Sequence, residues 1–174
     1  MGWEAGTLLE VLQNPSAWAD LRFTPVNFFL AFAAFFGEEY GWRYYLQPLL
    51  QKRFGMRKGV LILGVAWGVW HVFLDFFYYT TPDKGLIMLT TQIVTCVTLG
   101  IFFAWAYLKT NNIWVPVILH FLNNNLSLVI ANNYSVEVME NQQVTWEMLP
   151  ATILLDGILF GLFLLSKEFR EKNV

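Results

Sequence analysis

Gly85-Leu-Ile-Met-Leu-Thr-Thr-Gln-Ile-Val-Thr-Cys-Val-Thr-Leu-Gly-Ile-Phe-Phe-Ala-Trp-Ala-Tyr-Leu108 contains no charged side chain. It is longer than the roughly 20 helical residues that cross a hydrocarbon layer of about 30 Å. Four other stretches resemble it: Val26 to Leu50, Gly59 to Tyr79, Ile113 to Ala131 and Trp146 to Ser166. The whole chain agrees with them. Of its 174 residues 56% are hydrophobic, 18% aromatic and 14% charged, against about 25% charged in a soluble domain, and its mean hydropathy is +0.46. Lipid is the simplest solvent for such a surface. The expected fold is all-α: a polytopic transmembrane helix bundle of about five spans, with an N-terminal interfacial helix around Thr7 to Leu12.

One domain covers residues 1–174, with an interfacial tail at 1–22, a membrane-embedded core at 23–166 and a cytoplasmic tail at 167–174. No repeat, linker or signal-peptide pattern is visible. A net charge of -2 points away from a nucleic-acid partner. The single cysteine, Cys96, has no second cysteine to pair with, so disulfides and cysteine metal clusters are excluded. Basic residues set the orientation. Lys52, Arg53, Arg57 and Lys58 crowd the first connection, Lys109 sits in the third, and Lys167, Arg170 and Lys172 follow the last span. These belong on the cytoplasmic side of the cell membrane. The segment from Asn132 to Thr145 lacks Lys and Arg, which suits the opposite side; its Asn133-Tyr134-Ser135 fits a glycosylation sequon, which carries meaning only in a non-bacterial source. Gly64 with Gly68 and Gly157 with Gly161 form small-residue pairs that let helices approach. Thr91, Thr95 and Thr98 make a polar stripe that holds helices together.

Ionisable groups inside a span are costly and mark function. Glu38, Glu39 and Arg43 fall in the first expected span, His71 in the second, and His120 with Asn124 in the fourth. Each has a structural reading when taken singly: Glu39 and Arg43, four residues apart, can pair on one helix face, and a lone histidine is often a satisfied core residue. Depth joins them. Counted from Lys52, Arg57, Lys58 and Lys109 at 1.5 Å per residue, Glu38, His71, His120 and Asn124 all lie roughly 16 to 22 Å in. Asp75, one turn beyond His71, either orients it or reaches the outer interface, and the second reading is preferred.

Glu38-Glu39-Tyr40-Gly41-Trp42-Arg43 resembles the EExxxR motif of the CAAX prenyl endopeptidase and bacteriocin-processing (CPBP or Abi) family of intramembrane proteases. Trp67-Gly68-Val69-Trp70-His71 is similar to the family's FxxxH motif, with Trp67 in place of the Phe. His120-Phe121-Leu122-Asn123-Asn124 is similar to its HxxxN motif. The chain is short for such a protein, whose relatives usually carry further helices before EExxxR. The resemblance implies hydrolysis of a peptide bond by a glutamate-activated water. Glu38 is the expected general base, since a carboxylate in an apolar setting is tuned toward proton transfer. His71 holds the water, His120 and Asn124 stabilise the oxyanion, and Glu39, Arg43 and Trp67 support them.

No cofactor is expected. The alternative within the enzyme class is a zinc-dependent metalloprotease using His71, His120 and Glu38 as ligands, although the His-Glu-x-x-His helix is absent. Outside that class stands a non-catalytic immunity or scaffold protein, and beyond it a transporter, which the missing inverted halves disfavour. The expected partners are the lipid bilayer and a peptide or protein substrate, which the membrane itself can carry. The sequence does not choose between a prenylated CaaX tail and a bacterial peptide substrate.

Overall fold

The computed structural model describes residues 26, 28, 29, 31–131, 140 and 142–170. The expected interfacial helix, the sequon and the last residues of the tail lie outside them. The described residues form helices joined by short turns, with no strand among them. Helix α1 (residues 31–39) runs into a π-helical segment at Tyr40–Leu46 and on into α2 (Gln47–Phe54). The π turn is closed by the Gln47 N–H donating to the Trp42 carbonyl five residues back. Pro48 supplies a local reason: it has no N–H for the carbonyl one turn behind and its ring presses on that carbonyl, so a wider turn upstream relieves it. At Gly55 φ is 87°, a conformation that suits glycine alone, and the chain reverses there into α3 (Met56–Trp70).

His71 breaks the second expected span. Its φ of -80° and ψ of 0° separate α3 from the short α4 (Val72–Phe77), a backbone region where many active-site residues sit. Helix α5 (Gly85–Thr110) is the central element, and α6 (Trp114–Ala131) follows it. Helix α3 packs closely on α5. A Cβ on Gly64 would sit 2.5 Å from Val97 Cα, and one on Gly68 would sit 2.6 Å from Ile93 Cα, so the first small-residue pair is the approach expected of it. The second pair is not. No described residue lies within 4 Å of a Cβ built on Gly157, and one on Gly161 would make ordinary contacts at 3.9 Å.

The core has two parts. Trp67, Cys96, Leu99 and Phe103 pack together in one, and Val60, Ile101, Ala104 and Phe169 in the other. Cys96 is a buried free thiol that packs in the first of these. Two helical stretches, Met56–Phe77 and Pro82–Thr110, are long and apolar enough to cross a membrane, and only 33% and 39% of their apolar windows are buried within the chain. Leu61, Ile62, Val65, Val69, Phe73 and Phe77 turn outward, as lipid-facing side chains do and as a soluble protein's core helix does not.

The described residues carry two such stretches rather than the expected five. The last expected span, Trp146 to Ser166, is not one continuous α-helix. Helix α7 covers Leu149–Leu159, about 16 Å at 1.5 Å per residue. It ends at Phe160, and two 3₁₀ turns, Gly161–Leu165 and Lys167–Phe169, follow. Of the threonine stripe, Thr95 does bridge helices, donating to Asp156 Oδ2 of α7 at 3.0 Å. Thr98 instead bonds back to its own helix.

Candidate functional site

The site begins where α1 enters the π segment, a kind of turn that recurs at functional sites because it redirects side chains. Glu39 points inward and is fully buried. Its Oε1 lies 2.9 Å from His120 Nδ1, and its Oε2 lies 3.1 Å from Arg43 Nε. The Arg43 approach satisfies the distance of an ion pair, but neither atom makes a directional hydrogen bond; charge holds it. Arg43 is also fully buried, and its guanidinium lies over the Trp67 ring at 4.5 Å and the Phe103 ring at 5.2 Å. Its two terminal nitrogens have no hydrogen-bond partner among the described residues. Trp67 is therefore the platform for Arg43, and it meets His120 edge to face at 5.2 Å.

Glu38 is placed differently. It is half-buried and lines an open cleft of about 390 Å³ with Gly37, Gly41, Trp42, Tyr45, Leu46 and Trp70. His71 is close enough to interact electrostatically with both Glu38 and His120. Glu38 from α1, His71 from the break between α3 and α4 and His120 from α6 thus come near one another. Asn124 lies on α6 one turn beyond His120, on a more exposed surface, and its Oδ1 accepts from Asn123 Nδ2 at 3.2 Å.

Both histidines have one ring nitrogen committed. His71 Nδ1 lies 2.8 Å from the Trp67 carbonyl oxygen. A carbonyl can only accept, so Nδ1 carries the proton and the neutral ring keeps a lone pair on Nε2. His120 Nδ1 donates in the same way to the Glu39 carboxylate, which leaves its Nε2 as the reactive nitrogen.

Three features escape a reading by spacing. Glu39 binds His120 as well as Arg43, across 81 positions of sequence, and only the shared depth of the two residues hinted at it. Asp75 does not reach the interface: it is fully buried, and neither carboxyl oxygen has a hydrogen-bond partner among the described residues. Gln47 and Gln51 form a buried pair along α2 at 3.5 Å, and Gln51 donates on to the Met56 carbonyl.

A catalytic zinc takes three protein ligands. The free Nε2 atoms are suitable donors, but among the described residues no three His, Cys, Asp or Glu stand close enough to share an ion. No step below runs through a metal.

Outward apolar helices around an inward glutamate, arginine and histidine cluster define a helical membrane protein with a polar site inside its bundle. Over residues 20–126 the chain matches the family described as Type II CAAX prenyl endopeptidase Rce1-like, and the chain belongs to that family. It is also 31% identical over 143 residues to CAAX prenyl protease 2 of Methanococcus maripaludis, covering 79% of this chain and 52% of that protein. The chain thus spans about half the length of the curated relative it matches. No solved structure matches it.

Proposed function

We propose that this chain is an intramembrane endopeptidase in which Glu38 activates the attacking water. One observation carries the assignment of the two glutamates: Glu39 is engaged by His120 and Arg43, whereas Glu38 faces the open cleft. Family membership supports the reaction class.

The Glu38 carboxylate and His71 Nε2 are both acceptors, so a water between them gives up both hydrogens to hydrogen bonds and turns a lone pair outward. Glu38 takes one proton as the oxygen attacks the scissile carbonyl carbon. The developing negative charge on the carbonyl oxygen falls to Asn124 Nδ2–H and to His120, and proton transfer from Glu38 to the leaving nitrogen completes cleavage. His120 can donate from Nε2 only as imidazolium, because its Nδ1 proton is committed to Glu39. Glu39 is placed to stabilise that cation.

The cleft is walled by Trp42, Tyr45, Leu46 and Trp70, which suits an apolar substrate segment. A prenylated CaaX tail is the first candidate, since that is what the relative's name specifies.

The chemistry as proposed uses no metal. Purified protein should hold well under one zinc per chain by elemental analysis and keep its peptide-cleaving activity after chelation. Stoichiometric zinc, removed together with activity and restored with it, would establish the metalloprotease alternative instead.

The basic connections are assigned to the cytoplasm. In a Cys96→Ser background, single cysteines replacing Arg57 and Lys109 should be shielded from an impermeant thiol reagent in intact cells, while one replacing Glu140 should react. Labelling of the first two would reverse the orientation.

A further inference from the structure

At the start of α3, away from the glutamates, a second cavity of about 470 Å³ is lined by Phe54, Arg57, Lys58, Phe169 and Arg170. Three cations and two aromatic rings make its walls, and none of the described residues that line it is acidic. The cations come from two distant parts of the sequence. Arg57 and Lys58 begin α3, while Arg170 is brought in by Phe169, which is 1% exposed and packs into the core with Val60, Ile101 and Ala104. Among the described residues, none of the three cations makes an ion pair or hydrogen bond.

All three cations are exposed and line one cavity, and two of them occupy the first turn of a helix that has no acidic residue there and no side-chain cap. That end already carries the positive pole of the helix, which favours anions. An anion in the cavity would meet the three cations and the helix end together.

The cavity's position chooses the anion. Met56–Phe77 is an apolar stretch of membrane-crossing length, and the cavity sits at its first turn, where headgroups meet a span. We propose that this cavity binds the phosphate group of an anionic phospholipid, with Arg57, Lys58 and Arg170 on the phosphate and the exposed Phe54 flanking the glycerol and upper acyl chain. Basic pockets at span ends recognise headgroups in this way.

The test uses the full chain in a neutral detergent, titrated with short-chain phosphatidylglycerol, short-chain phosphatidylcholine or inorganic phosphate, with binding followed by thermal shift and native mass spectrometry. Phosphatidylglycerol should bind and raise the melting temperature, and the other two should not. Charge-assisted hydrogen bonds at this strength predict a loss of about tenfold or more in affinity for Arg170→Gln and for Arg57→Gln. Lys52→Gln, the same charge change on an exposed residue outside the cavity, should change affinity by less than about threefold. Equal losses in all three variants would show general attraction to the basic surface and overturn the site. Equal stabilisation by inorganic phosphate, or none by any titrant, would overturn it as well.

Discussion

Glu38→Gln is expected to abolish peptide cleavage while leaving the protein folded. The amide keeps the size and hydrogen-bonding reach of the carboxylate but cannot accept the water's proton. Loss of a positioned general base typically costs about a hundred- to ten-thousandfold in rate. Stability should hardly move, because Glu38 is half-buried at the cleft and the buried ion pair belongs to its neighbour. Turnover of a membrane-carried peptide, measured beside a thermal melt in detergent, checks both halves. Full activity in Glu38→Gln would remove it from the chemistry.

The neighbouring change should act on the other axis. Glu39→Gln leaves the Arg43 cation fully buried with no counter-charge, its terminal nitrogens already lacking partners among the described residues. Breaking one side of a buried pair typically costs about 3–5 kcal/mol. His120 keeps an acceptor in the new amide oxygen but loses the charge that would stabilise its imidazolium. The expected signature is a lower melting temperature and yield with some residual turnover. Adding Arg43→Gln should recover part of the stability, because the stranded charge goes with it. A Glu39→Gln protein of normal stability and no activity would mean that the two carboxylates have exchanged jobs.

That contrast is partly legible in the sequence. Adjacent helical residues point about 100° apart, so Glu38 and Glu39 cannot share one task, and the spacing of Glu39 to Arg43 identifies the pair. Spacing does not show the π segment, which depends on how Pro48 is accommodated, nor the Glu39–His120 bond, which requires α1 and α6 to meet at one depth. The long apolar elements are the most legible part of the fold: the stretch Met56–Phe77 and helix Gly85–Thr110 fall close to their expected bounds. Trp146 to Ser166 misleads because hydropathy counts apolar residues without asking whether the backbone stays helical past Phe160. Asp75 is misplaced for a related reason, since its distance along the helix says nothing of whether α5 covers it.

Activity is the claim on which the rest depends, and it can be tested without knowing the substrate in advance. Protein termini should be compared across whole proteomes of cells carrying the wild-type chain and cells carrying Glu38→Gln at equal abundance. At least one new peptide terminus, present with the wild type and missing with the variant, is the predicted result. Identical termini in the two, with both proteins folded and in the membrane, would contradict an endopeptidase built on Glu38.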